Sequence, residues 1–357
     1  MANEQNLDID ALIERIASYQ SRGDAFFPDG IFPSYRHNKY LFYRRPDTNI
    51  FYTATIVFIL NQVKGKVSAK SQQIIEHITE KANKNYPDFQ NKDGLKTYNF
   101  WKTKPSKHFP NGRIFQHLDH FRIPDDIDDT ALVYLTLPYP TEDVLWLKEK
   151  VKLHCSPLGV RGGGIYSTWF GKNMPIEHDV CALCNLMYLF EKHQLPHNEY
   201  DEAVFVFLRE VILDEKYITN AFKVAHNYAT TLLIIYHYAR LLGDFNIPQL
   251  EVCRENLISK IKQLLDNESN TMYRTILETS LLKLDKNNVL KISTQNSELR
   301  TARRTVQNSF TYFIAGLLSS YKNPILYFFA PFKITQMEWE CEAHELALIV
   351  ERLSCLL

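Results

Sequence analysis

Four carboxylates, Asp125, Asp126, Asp128 and Asp129, fall in the run Pro124-Asp125-Asp126-Ile127-Asp128-Asp129-Thr130-Ala131. Proline and acidic residues are ordinary helix-start signals, because proline's fixed φ suits the first turn and the positive end of the helix dipole favours anions. One or two aspartates would meet that need. A cluster of them, followed at once by the apolar run Ala131 to Leu137, puts carboxylates where solvation is limited. Burial and neighbouring like charges raise a carboxyl pKa, and a neutral carboxylic acid in a dry cavity is a strong general acid. The dipole opposes this, so such an acid keeps its proton only if its neighbours are ionised and hydrogen-bonded in its place.

A second polar cluster is Glu177-His178-Asp179-Val180-Cys181-Ala182-Leu183-Cys184-Asn185. Asp, Cys and His are side chains competent to bind Zn²⁺. Equally, Cys181 and Cys184, three apart on an apolar helix, read as buried thiols. Asp179, Asn185, His226, Asn227, Glu278, Glu342 and His344 all fall in or beside apolar segments. They read either as hydrogen-bonded core groups or as a polar ring converging on Asp128. Aromatics exceed what packing requires, with 22 Phe and 20 Tyr. Phe42, Tyr43, Phe51, Tyr52, Phe100, Trp101, Tyr166, Trp169, Phe170 and Tyr228 are the candidate cavity walls. Arg44, Arg45, Lys102, Lys104, Lys107, Arg113, Arg122 and Arg161 are candidate holders of an anionic group, or else a solvated basic rim.

These side chains need elements to position them. Apolar residues recur at i, i+3, i+4 and i+7 almost throughout, with little alternation, so the chain reads as all-α. One kind of helix is amphipathic: Asp8 to Tyr19, Gln72 to Lys84, Glu142 to His154, Glu199 to Leu213, Gln249 to Leu265 and Thr301 to Ser320. The other is apolar nearly all round: Tyr52 to Gln62, Asp128 to Leu137, Asp179 to Phe190, Tyr228 to Leu242, Thr275 to Leu284 and Glu342 to Leu353. A helix apolar on every side must be covered on every side, whereas one with a single stripe lies outside. The alternation predicts a single domain over 1–357, an (α/α)6 toroid of six inner and six outer helices. The long connections Asp24 to Asp47, Lys96 to Pro124 and Leu158 to Pro175 lead into inner helices and should crowd one mouth of it.

Composition narrows the function classes. The 41 basic and 41 acidic residues leave no net charge, which removes the field a general nucleic-acid binder would use. No apolar run reaches the roughly 20 residues of a membrane span, and the polar N-terminus shows no secretory signal. Dispersed cysteines suit free thiols, so a cytoplasmic location is expected.

The run Asp126-Ile127-Asp128-Asp129-Thr130-Ala131 resembles the DxDDTA motif of class II terpene cyclases, whose fold is a toroid of α-hairpins shared with protein prenyltransferase β subunits. The resemblance implies Asp128 as the proton donor to an alkene or epoxide, Asp126 and Asp129 as supporting carboxylates, and cyclisation of an isoprenoid in an aromatic cavity without a redox cofactor. The family usually sets this site between two toroids, which implies that a partner chain or the three long loops close the cavity here. Asp125-Asp126-Ile127-Asp128-Asp129 also resembles the DDxxD pattern of class I terpene synthases, in which Asp125 and Asp129 would hold Mg²⁺ against a diphosphate. Asp179 and Cys181 resemble the Asp-x-Cys zinc ligands of the prenyltransferases, with His226 as third ligand. A non-catalytic toroid that binds a ligand or carbohydrate at its aromatic mouth is the remaining alternative.

Overall fold

The computed structural model describes residues 2–159, 163–171, 174–285, 310–319 and 323–357. It is mostly helical. In chain order the elements are α1 (Ala2–Tyr19), β1 (Ser34–Asn38), β2 (Tyr43–Asp47), α2 (Phe51–Val63), α3 (Ala69–Asn83), α4 (Ile127–Thr136), α5 (Thr141–Lys152), α6 (Val180–Lys192), α7 (Glu199–Leu213), α8 (Lys216–Thr219) and α9 (Ala221–Val224). There follow α10 (Thr231–Asp244), α11 (Val252–Leu265), α12 (Thr271–Leu284), β3 (Phe313–Gly316), β4 (Gln336–Glu340) and α13 (Glu342–Ser354).

The helices that are apolar on every face are the buried ones. All ten residues of α4 are buried, as are Val180 to Phe190 of α6. They pack in sequence: α2 on α4, α4 on α6, α6 on α10, α10 on α12, α12 on α13, and α13 back on α2. The amphipathic helices lie against them, α1 and α3 on α13 and α2, α5 and α7 on α6, and α11 on α12. Short polar caps set the starts: Asn198 and Asp201 form a reciprocal capping box on α7, and Asn270 caps α12.

Two expectations are corrected. The helix expected over Thr301 to Ser320 is not found where it can be assessed: 301–309 and 320 lie outside the described residues, and Phe313–Gly316 is the strand β3. The connection from Asp24 to Asp47 is not irregular, because it folds as the hairpin β1–β2 of an antiparallel sheet ordered β2-β1-β4-β3. Its register pairs Arg36 with Trp339 and Trp339 with Phe313. The sheet is tied to the loop after α3 by a buried Arg36–Asp47 ion pair, whose carboxylate also accepts from Trp101 Nε1 (3.0 Å) and Asn49 Nδ2 (3.0 Å).

Candidate active site

The acidic run sits where two long connections meet α4. Asp126 N–H donates to Tyr98 O (3.2 Å), Ile127 N–H to Thr168 O (2.9 Å), and Phe170 N–H to Asp125 O (3.0 Å). Asp126 is the N-cap, its carboxylate accepting from Asp129 N–H at 2.8 Å. The helix therefore begins at Ile127. Asp125 lies outside it, turned away to accept from Asn91 Nδ2 and Thr97 Oγ1, both at 2.6 Å. This corrects the DDxxD reading, since Asp125 and Asp129 share no helix face.

Asp126, Asp128 and Asp129 line a cavity of about 180 Å³, far above the roughly 10–15 Å³ one water needs. Phe51, Phe100, Trp101, Phe109, Phe121, Trp169, Phe313 and Trp339 wall it, and Glu177, Asp179, His226, Asn227 and Tyr228 complete its polar end. The walls are locked together: Phe100 stacks on Phe313 (5.3 Å, 16°), Phe51 lies 4.6 Å from Phe313, and Trp169 Nε1 donates to Glu177 Oε2 (2.8 Å).

Asp128 is held on both oxygens. Asn185 Nδ2 donates to Oδ1 at 2.6 Å, and the Tyr228 hydroxyl donates to Oδ2. Behind Asn185, Arg240 Nη2 donates to the amide oxygen at 2.7 Å. Arg240 is buried, lies over the rings of Phe58 and Tyr236, and leaves Nε and Nη1 without a partner. Its positive charge thus faces Asp128 through one amide. Sequence reasoning missed Arg240, although it is the one cation in the apolar run Tyr228 to Leu242.

Burial raises the Asp128 carboxyl to about 6, against the lowering effect of Tyr228, Asn185 and Arg240. Asp126 and Asp129 are also pushed up, first by burial and then by neighbouring carboxylate charge, and Asp129 Oδ1 has no hydrogen-bond partner. Of the three carboxyls, Asp128 is the one whose anion two side-chain donors support, whereas Asp126 and Asp129 raise one another by their charge.

Other expected site residues lie elsewhere. Tyr52 is buried and donates to Trp339 O (3.0 Å), and Phe170 packs edge-on to His154. Tyr166 donates to Asp201, the Tyr43 hydroxyl accepts from Arg36 Nε (3.0 Å) and Nη2 (2.8 Å), and Phe42 is wholly exposed. Glu278 pairs with Arg274 and Arg352. Exposed Glu342 bonds Arg15 and Tyr19, and His344 is buried against Tyr52 and Tyr312. Glu278, Glu342 and His344 do not line the cavity. Arg122 alone of the named basic residues lines it; Arg113 is exposed, Lys102 pairs with Asp88 and Arg44 with Glu340, and Arg161 lies outside the described residues.

Asp179, Cys181 and His226 do not fit a metal set. Asp179 spends Oδ1 on the N–H groups of Cys181 and Ala182 and Oδ2 on that of Asn227 (3.1 Å). Among the described residues no group of three or more His, Cys, Asp and Glu is disposed to hold a metal ion.

No family model matches the sequence, and no curated protein does. Among solved structures the chain is similar to the apo form of the type II terpene cyclase MstE from Scytonema, with a TM-score of 0.59 and 10% identity over 98% of each chain. At that identity the likeness is one of fold: the chain has a terpene-cyclase-like fold. No described helix is long and apolar enough to cross a membrane.

Proposed function

We propose that the chain is a class II terpene-cyclase-like enzyme built as an (α/α)6 toroid, with α2, α4, α6, α10, α12 and α13 as its inner ring. The return of α13 onto α2 and the fold likeness over the whole chain support the toroid. Asp128 is the acid. The observation that carries this reading is a carboxyl at the end of an aromatic-walled cavity, gripped by Asn185 and Tyr228 so that its anion is stabilised once the proton has left.

An alkene is a weak base, so its protonation needs a strong acid in a site without water. A carboxyl at about 6 is a tenth protonated at pH 7. An isoprenoid chain filling the cavity displaces water and raises that fraction, because lower polarity disfavours the anion. The proton then passes from Asp128 to the terminal alkene carbon, and the π electrons form the new C–H bond. The resulting cation is attacked by the next alkene of the same chain, while aromatic faces meet the moving charge. Loss of a proton ends the sequence, so product and substrate are isomers. Arg122, which lines the cavity and pairs with Asp119 (3.3 Å), would exchange that partner for a substrate's anionic end.

The test is incubation with geranylgeranyl diphosphate, farnesyl diphosphate and squalene, with products read by mass spectrometry. The wild type is expected to cyclise one of them, and Asp128→Asn to lose at least about 10²-fold in turnover while retaining affinity. Unchanged turnover in Asp128→Asn would remove Asp128 from the chemistry. Binding without turnover in the wild type would favour the ligand-binding toroid.

A further inference from the structure

Buried cations in this molecule come with a carboxylate, with one exception. Arg36 pairs with Asp47, Lys148 with Asp201 and Arg352 with Glu278. Arg240 is as deeply buried and has no ion pair among the described residues. Its hydrogen bond goes to the neutral amide of Asn185 (2.7 Å), while Nε and Nη1 have no partner. An unmatched charge in the interior is costly, and a guanidinium does not escape the cost by losing its proton. Asp128 offsets it only when ionised, and only through Asn185.

Other polar groups beside Arg240 are in the same state. Its Cζ lies 4.8 Å from the Phe58 ring centre and 5.3 Å from that of Tyr236, contacts that supply π faces and no carboxylate. Tyr236 in turn adjoins His237 (5.6 Å) and Tyr312 (6.3 Å), and Tyr312 adjoins His344 (4.4 Å). The Tyr312 hydroxyl and the Nε2 atoms of both histidines are buried without a hydrogen-bond partner. His237 Nδ1 lies 2.8 Å from Leu233 O and so carries the proton, which leaves Nε2 as an acceptor. Burial, and then the charge of Arg240, hold both histidines well below the usual imidazole range, so neither is a second cation. Native interiors leave few polar groups unpartnered, and here α10, α13 and the residue before β3 bring several to one place.

We propose that Arg240 and Tyr312 hold a small monovalent anion of halide size in the core of the helical ring. The guanidinium supplies the charge and the phenol a neutral O–H donor. His237 Nε2, which only accepts, is served by a water shared with the anion. Ordered water alone would satisfy the N–H groups but leave the charge unmatched. The anion also bears on the neighbouring acid. Asp128 faces Asp126, Asp129, Asp179, Tyr228 and Arg240, of which Arg240 is the cation and favours the ionised form. An anion seated on Arg240 therefore favours the protonated carboxyl. The site itself follows from charge balance and stands without the proposed reaction.

The test is diffraction from crystals of the full chain in potassium bromide, read by bromine anomalous scattering, with thermal melts in potassium chloride and potassium gluconate at equal ionic strength. A bromine peak is expected in contact with Arg240 Nε or Nη1. Chloride is expected to raise the wild-type Tm over gluconate, which is too large for the site, by on the order of 2 °C. Arg240→Met is expected to lose both the peak and the chloride effect. Tyr312→Phe, which keeps the ring, serves as the second variant and is expected to shrink the chloride effect. Water alone at Arg240 in the bromide crystals would overturn the proposal. So would equal wild-type melts in the two salts, or a chloride effect that Arg240→Met retains.

Discussion

Asp128, Asn185 and Arg240 form a chain of hydrogen bonds of 2.6 and 2.7 Å that ends on a buried cation with no ion pair among the described residues. The groups facing Asp128 are Asp126 and Asp129 on its own helix, Asp179 at the head of α6, Tyr228 before α10, and Arg240 on α10. Of these, Arg240 is the cation, and it favours the Asp128 anion. Arg240→Met is therefore expected to raise the Asp128 pKa above about 6, read from the ¹³C shift of its carboxyl during a pH titration. Asn185→Leu should act in the same direction, and an unmoved titration in both variants would detach Arg240 from the site. At this scale the sequence was informative where residue type clashed with surroundings: the aspartates, Asp179, Asn185 and Tyr228 all came to one place. Glu278, Glu342 and His344 showed the same clash but were answered locally by arginines, a tyrosine and rings. Arg240 was illegible because an arginine near a helix C-terminus has an ordinary reading as a dipole partner.

The start of α4 carries an energetic consequence for its element. Asp126, Asp128 and Asp129 all have folded-state pKa values raised by burial above the ordinary carboxyl value. Between about pH 4 and pH 8 the folded chain keeps protons that the unfolded chain releases, so stability from this cluster is greatest in acid and declines as pH rises. Asp129→Asn removes one buried carboxyl from the cluster. Its Tm relative to wild type should be higher by on the order of 2 °C at pH 8 than at pH 5, measured by thermal melts. A difference independent of pH would contradict the burial argument. The helices were legible because their apolar patterns follow the helical period. The sheet was not: β1 buries Ser34, Arg36 and Asn38, inverting the usual pattern, and β4 buries Gln336 to Trp339 without alternation. Its strands are specified by Asp47 and by neighbouring aromatics distant in sequence, which no local window contains.

Over the whole molecule, buried helices pack in a closed succession and the long connections bring aromatics to the end where α4 and α6 begin. The sheet supplies Phe313 and Trp339 to that wall from near the C-terminus, so cavity walls arise from both halves of this chain. The proposed reaction makes a strict accounting demand on such a cavity: one proton enters the hydrocarbon from a solvent-exchangeable acid, and another leaves at the end. Incubation with the polyprenyl substrates in D₂O tests this most directly, with mass spectrometry of the product and Asp128→Asn as the control. The account expects a cyclised isomer carrying one carbon-bound deuterium and none of it from Asp128→Asn. A cyclised product free of deuterium, or an equal yield from the variant, would contradict it.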